Sequence, residues 1–425
     1  MIINFKKREL NQLKFIDLFC GIGGFHQALS NRLGSTCVLA SDTDENCKIV
    51  YQENYGTDII WEPDVKKINP ETIPDFDIIC AGFPCQAFSN AGKKKTFSDK
   101  RGLLFDEIMR IAKIKKPKFM FLENVKHILK VGNGEVIKYI LNKIDEHGYK
   151  VKIYQISPHE YGIPQQRERV YFVCIRNDFY NKFRGDNGFP VIISPNIPVN
   201  FENYLQKKEE IPEKYFINGN INKCLSAWDE MIHKFNINEK ISPTIMINEH
   251  YNNHTQDDFN NYATWRKDYI TKNKPLISKY KKDFDEWYKN HKTILQETEV
   301  NGKLEWQVGP IKPNDSIFNY FIQIRQSGIR VKKAEYFPTL VAMTQTPIYG
   351  KEKRHITPRE CARLQSFPNT FILPHEMLEK IESEDKHFRK PPLPDQVAYK
   401  QLGNSVNVDN VHTIISKTLS LYCYK

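Results

Sequence analysis

Between residues 14 and 178 the chain alternates short apolar runs with amphipathic stretches, and that rhythm restricts the fold more than any other feature. KFIDLF (14–19), CVLASD (37–42), DFDIICA (75–81), KFMFLENV (118–125), VKIYQIS (151–157) and VYFVCIRND (170–178) have the length and the branched or aromatic content of buried strands. Between them, RGLLFDEIMRIAKI (101–114) and EVIKYILNKIDEHGY (135–149) space their apolar residues along one helical face. GFHQALSNRL and ENCKIVYQENY fill the earlier intervals. Strands alternating with helices predict an α/β fold: a mostly parallel sheet with helices on both faces. Ligands bind such sheets beyond the carboxyl ends of the strands. Residues just after each apolar run are therefore the candidates for chemistry.

Four such places stand out. In IDLFCGIGGF (16–25), Gly21, Gly23 and Gly24 lie between the first strand and its helix, where they let a ligand approach backbone N–H groups. The third glycine of GxGxxG is missing, but Asp42 ends the next strand about 20 residues on, suited to a ribose hydroxyl pair. Together they suggest a nucleoside-containing cofactor; the glycines alone also fit a purely structural turn. In AGFPCQAFSNAGKKK (81–95), Gly82 and Pro84 break the strand and leave Cys85 at its end. Such a cysteine is either a nucleophile, if a base or positive charge activates it, or a packed thiol. In FLENVKHIL, Glu123 follows directly on an apolar run. Buried carboxylates are rare unless paired or functional, the other reading being a helix cap. In YGIPQQRERVYFV, Arg167 and Arg169 are two apart and face one side if extended. They suit a phosphate or carboxylate, or a surface salt bridge with Glu160 or Glu168.

From about residue 180 to 315 the rhythm stops and Asn, Lys, Asp and Tyr dominate, which reads as a separate module. Order returns at FIQIRQSGIRV (321–331) and at TPRECARLQSF (357–367), a helix opened by a capping Thr357 and by Pro358 at its first position. QLGNSVNV and a final apolar helix follow the Pro-rich KPPLPDQVAYK. At 425 residues the chain has room for two or three domains. Its net charge of +11 favours a polyanionic partner, nucleic acid before a membrane surface, or else marks a merely basic exterior. Nine cysteines, without a CxxC pair or a Cys/His cluster at zinc spacing, argue for reduced thiols and no metal. The start lacks an apolar signal core, and no run approaches about 18 apolar residues, so neither secretion nor a membrane span is expected.

Taken together these segments resemble the cytosine-5 DNA methyltransferases. FIDLFCGIGGF is similar to that family's cofactor motif, GFPCQAFSNAGK to its catalytic loop, ENV to its acid motif and QQRERVYFV to its paired-arginine strand. TPRECARLQSFP and QLGNSVNV are similar to its two C-terminal motifs. The six stand in the family's order, over about 14–178 and 321–420, and the uncovered 180–315 is where the family carries its variable recognition region.

The resemblance implies a Rossmann-like S-adenosylmethionine-dependent fold. Residues 1–180 would form the catalytic and cofactor-binding domain, 181–335 the target-recognition region and 336–390 the rest of the small domain. Residues 391–425 would pack back on the catalytic domain. It implies methyl transfer from S-adenosyl-L-methionine to C5 of a cytosine flipped out of double-stranded DNA, leaving S-adenosyl-L-homocysteine. Cys85 would add to C6, Glu123 would contact N3 and the exocyclic amine, Arg167 would hold the base and its phosphate, and Arg169 would orient Glu123 or the loop. Phe19, Gly21, Gly23 and Gly24 would surround the cofactor, Asp42 would take the ribose, and Asp64 and Val65 would lie beside adenine. Gly82, Pro84, Leu104, Asn404, Ser405 and Val406 would complete the pocket. Gln86, Ser89, Lys93, Lys94, Arg101, Arg325 and Arg330 would contact DNA. Two positions depart from the pattern: Thr43 stands where a bulky apolar residue often flanks adenine, and Cys20 sits in the glycine loop. The resemblance further implies a cytoplasmic bacterial enzyme of a restriction-modification system, whose endonuclease acts on the same site but need not bind it; a monomer is expected, because an enzyme that flips a base from one strand at a time needs no symmetry. The alternatives are an RNA cytosine-5 methyltransferase or a catalytically inactive DNA-binding subunit. A nicotinamide oxidoreductase would fit the glycine loop but not the Pro-Cys and Glu-Asn-Val segments.

Overall fold

The structure, a computed structural model, describes residues 12–84, 104–182, 188–195, 197–241, 244–252, 256–340, 346–377 and 393–422. The chain divides into two compact units. One comprises Met1–Asn200, Thr339–Ala342 and Cys361–Lys425; the other comprises Phe201–Pro338 and Met343–Glu360. These divisions fall at other points than 180, 335 and 390.

The first unit is built on seven strands: β1 (Lys14–Leu18), β2 (Thr36–Ser41), β3 (Ile60–Trp61), β4 (Ile78–Gly82), β5 (Phe119–Val125), β6 (Tyr149–Ile156) and β7 (Arg169–Arg176). Their order is β3-β2-β1-β4-β5-β7-β6. The first five pair in parallel, and β7 runs antiparallel to both neighbours. The inner strands β1, β4 and β5 are buried along almost their whole length, as expected of a parallel sheet covered on both faces. Helix Leu104–Lys115 buries Phe105, Ile108, Met109, Ile111 and Ala112, and helix Glu135–Glu146 buries Val136, Ile140 and Ile144. These residues join Ile16, Ile79, Met120, Leu122 and Phe172 in one core. From β1 the chain winds outward through β2 and β3, then crosses to β4 and β5 on the other side. The switch point between β1 and β4 opens a crevice at the carboxyl ends of the strands.

Helices Asp395–Asn404 and Val408–Tyr422 belong to the same unit. The turn between them passes hard against the helix that starts at Gly24. A Cβ on Gly24 would lie 2.6 Å from Val406 Cγ2 and 3.2 Å from the Val406 carbonyl oxygen. Close approach of Val406 and Ser405, not a positive φ, is what demands glycine here.

The second unit carries β8 (Ile245–Met246), β9 (Lys303–Gln307), β10 (Phe321–Arg325), β11 (Gly328–Lys332), β12 (Ile348–Tyr349) and β13 (Arg354–His355), in the order β13-β12-β10-β11-β9-β8. β10 and β11 form a hairpin closed by Gln326 and Ser327. Helices Gly219–Ile232 and Lys281–Glu297 supply Trp228, Phe284 and Trp287 to a core shared with Ile322 and Val331. The two indole N–H groups donate to the Asn301 and Ala227 carbonyls at 2.7 Å each, so burying them leaves no donor unmet. Arg354, fully buried, makes two 2.9 Å bonds to Glu360. Glu360 also accepts the Thr357 N–H at 2.8 Å, and Thr357 Oγ1 accepts the Glu360 N–H at 3.2 Å. This reciprocal capping box starts helix Pro358–Leu364 where the sequence predicts it.

Glu360→Ala should cost about 3–5 kcal/mol, because it takes the carboxylate from both terminal nitrogens of a buried guanidinium and leaves it the Glu352 carboxylate, on Nε at 2.6 Å; urea unfolding followed by tryptophan fluorescence measures it, and a loss below ~1 kcal/mol would contradict the packing. Gly24→Ala should destabilise the first unit by about 1–3 kcal/mol through the Val406 clash, read as a lowered melting temperature.

Candidate active site

Four strands deliver their ends to one rim of the first unit. β1 runs into a loop in which Phe19, Gly21 and Gly23 adopt φ of 54°, 53° and 82°. Tyr55 supports this loop, its hydroxyl donating to the Gly23 carbonyl at 2.9 Å while its ring stacks on His26 at 3.8 Å. Burial pushes the His26 pKa down to about 3, so the imidazole that meets the Tyr51 hydroxyl at 2.7 Å is neutral at physiological pH. Asp42 follows β2 and accepts the N–H groups of Gly21 and Asp44, both at 2.9 Å. Burial raises its pKa, against the pull of those two amides.

The exits of β4 and β5 are joined. Gly82 pairs in register with Glu123, which is 8% exposed. Glu123 Oε1 meets Arg169 Nε at 2.9 Å, while Oε2 lies towards Gly82, where a Cβ would be 3.7 Å away. Burial raises the Glu123 pKa, with Arg169 and then Arg167 opposing it. Asn124 donates to the Phe83 carbonyl at 2.8 Å and accepts the Val125 N–H at 2.8 Å. It thereby ties the Phe83–Pro84 exit to the strand bearing Glu123.

Arg167 and Arg169 do not act as a pair on one strand face. Arg169 begins β7, whereas Arg167 precedes it. Arg167 is 2% exposed; its Nη1 donates to the Leu340 carbonyl at 2.7 Å and its Nη2 to the Gly403 and Ser405 carbonyls at 2.8 Å. Burial, then Arg169, pushes its pKa down to about 9, which leaves it charged at neutral pH. With both terminal nitrogens held by carbonyls, Arg167 clamps the backbone, while its buried Nε has no partner among the described residues. Of the surface-pair alternative, Glu168 pairs instead with Lys126 at 2.9 Å.

These groups line a cleft of about 520 Å³. Phe19, Gly21, Gly24, Asp42, Asp64, Val65, Gly82, Pro84 and Leu104 reach it, as do Glu123, Arg167, Arg169, Asn404, Ser405 and Val406. Gly23 does not; it sits at the turn against Tyr55. The two departures, Cys20 and Thr43, both line the cleft. So do Cys47, Pro63, Asn124 and Gln401, which the motifs did not single out. Lys400 Nζ meets Asp44 Oδ2 at 2.8 Å, joining the helix that bears Gln401 to the end of the β2 loop. Cys85, Gln86, Ser89, Lys93, Lys94 and Arg101 lie outside the described residues. Arg325 and Arg330 belong to the second unit, on β10 and β11, where Arg330 Nε meets Glu305 Oε2 at 2.5 Å.

The glycine loop with its acid can hold a nucleoside, and a carboxyl with a raised pKa beside a guanidinium can hydrogen-bond a heterocycle in either protonation state. The profile of the C-5 cytosine-specific DNA methylase family matches residues 13–420. The chain is 31% identical over 429 residues to the Type II methyltransferase M1.ScrFI of Lactococcus lactis subsp. cremoris, covering 99% of this chain and 81% of that protein. It is 46% identical over 177 residues to the Type II methyltransferase M.HhaI of Haemophilus parahaemolyticus, covering 42% of this chain and 53% of that one. In fold it is similar to the Entamoeba histolytica methyltransferase EhMeth, with a TM-score of 0.53 and 19% identity over 96% of this chain and 98% of that one. The chain belongs to the C-5 cytosine-specific DNA methylase family and is a DNA cytosine-5 methyltransferase.

Proposed function

We propose that the enzyme transfers a methyl group from S-adenosylmethionine to C5 of a cytosine flipped out of duplex DNA, through a covalent bond between Cys85 Sγ and C6. The observation that carries this reading is Glu123. It is a buried carboxyl with a raised pKa, one oxygen fixed by Arg169, in register with Gly82 three residues before Cys85.

C5 of cytosine is a poor nucleophile. A Cys85 thiolate that adds to C6 pushes electron density onto C5 and N3. A protonated Glu123 donates a hydrogen bond to N3 as that charge grows, and Arg169 keeps the carboxyl aimed. S-adenosylmethionine, when bound, supplies an electrophilic methyl sulfonium. Loss of the C5 proton and departure of the thiolate restore the ring as 5-methylcytosine.

The cleft is of cofactor size. Asp42, with lone pairs beyond those its two amides use, is assigned the ribose hydroxyls. Gly21 and Gly24 let the ligand approach the backbone. Asp64 and Val65 are assigned to the adenine, with Phe19, Pro84, Leu104, Asn404, Ser405 and Val406 around the rest. Arg167 is a positioning residue that holds the 403–405 turn at the cleft. Gln86, Ser89, Lys93, Lys94 and Arg101 are assigned to the DNA around the flipped base. The second unit is assigned target recognition, with Arg325 and Arg330 on its hairpin; phosphate contacts outnumber base contacts in such complexes. We assign the enzyme to a restriction-modification system, acting as a monomer in a bacterial cytoplasm. Among the described residues no helix is long and apolar enough to cross a membrane.

Tritiated S-adenosylmethionine given with mixed-sequence duplex DNA, and separately with total RNA, tests the reading. Label should appear as 5-methylcytosine in DNA; label in RNA alone would overturn it. Cys85→Ser should abolish transfer and leave duplex binding intact, and retained turnover would remove Cys85 from the mechanism. Glu123→Gln should slow the chemical step about a hundredfold or more while cofactor affinity changes little. Burial keeps Glu123 protonated to higher pH than an ordinary carboxyl. Activity that needs its proton is therefore present at low pH and lost as pH rises through the raised pKa. That loss should be absent from the Glu123→Gln profile.

A further inference from the structure

Gln401 lines the cleft from helix Asp395–Asn404 and is only 3% exposed. Both its Nε2 and its Oε1 are buried and, apart from an approach by the Cys47 thiol, have no hydrogen-bond partner among the described residues. A primary amide offers two donors and an acceptor oxygen, and burying them unmet is unfavourable. The side chain is not free to turn away at no cost, because its helix end is fixed on both sides. Lys400 is held by Asp44, and the Gly403 and Ser405 carbonyls are held by Arg167. The Ser405 N–H closes the helix onto the Gln401 carbonyl at 2.9 Å.

We propose that Gln401 is a cofactor-binding residue whose amide takes a ribose hydroxyl of the nucleoside, beside Asp42. The assignment rests on reading the cleft as an S-adenosylmethionine site. A hydroxyl both donates and accepts, which matches an amide with both atoms unmet on a residue that lines the cleft. The location follows from Lys400, next to Gln401 on the helix, which Asp44, two residues beyond Asp42, holds at 2.8 Å; Gln401 is thus on the Asp42 side of the cleft that both line. Asp42 keeps an acceptor site on each oxygen for the hydroxyls, and a hydroxyl that donates to Asp42 still has lone pairs to accept from the Gln401 amide.

Calorimetric titration of the full-length enzyme with S-adenosylhomocysteine and its 2′-deoxy and 3′-deoxy analogues tests this, comparing wild type with Gln401→Met, an unbranched apolar replacement of similar length. Gln401→Met should bind S-adenosylhomocysteine about tenfold more weakly. The penalty for removing one of the two hydroxyls, about tenfold in wild type, should vanish in the variant. The ligand-free variant should melt at the same temperature as wild type or higher, since the change removes an unmet buried amide, whereas a structural glutamine would lower it. Gln401→Ala, titrated in the same way, should show the same loss of hydroxyl discrimination. Unchanged affinity in both variants, or hydroxyl penalties that persist while sensitivity to an N6-methyladenine analogue is lost, would overturn the assignment alone. A wild type that binds no S-adenosylhomocysteine would overturn the cofactor reading and the assignment with it.

Discussion

One buried guanidinium closes this site. Arg167 gathers carbonyls from Leu340, Gly403 and Ser405, residues 173 to 238 positions away in sequence, onto the approach to β7. The charge-assisted bonds fix the turn that carries Asn404, Ser405 and Val406, and that turn is seated against Gly24 with no room for a side chain. Arg167 also acts on Glu123. Arg169 and Arg167 favour the ionised carboxylate, yet burial outweighs both and leaves its pKa raised. The clamp that shapes the cleft thus also helps to poise the carboxyl at its centre.

The first unit buries polar groups that burial by itself disfavours. Asp17 is wholly buried on β1, and burial drives its carboxyl towards the neutral form. Beside the cleft, Glu123 and Gln401 are buried and Asp42 is half-buried. A sheet built only for stability would put apolar side chains at several of these places. Their retention is what is expected where binding and catalysis are preorganised at the expense of the fold.

Much of the first unit was legible because burial on both faces of a parallel sheet forces continuous apolar runs, and residues at the ends of those runs reach the crevice. Gly21, Gly24, Asp42 and Glu123 were found that way. β3 was not, since its two residues carry no periodicity. Nor was the antiparallel course of β7, because alternation of side chains says nothing about strand direction. Arg167 was misread as one half of a strand pair: its partners are backbone carbonyls far away in sequence, which no local pattern encodes. Asn124 and Gln401 were passed over for a related reason, as a polar residue in a turn or helix reads as solvated until its surroundings are known. In the second unit the Asn- and Lys-rich composition hid a core whose anchors, Trp228 and Trp287, lie on separate helices and meet only in three dimensions.

The central claim is that Cys85 attacks C6 of a cytosine held at this rim. A mixed-sequence duplex with 5-fluorocytosine in place of cytosine tests it most directly, because fluorine at C5 cannot leave as the proton does and the ring cannot expel the thiolate. With S-adenosylmethionine present, a stable protein–DNA adduct should form, its mass mapping to the peptide containing Cys85. Absence of an adduct with active enzyme, or an adduct at any other residue, would contradict it.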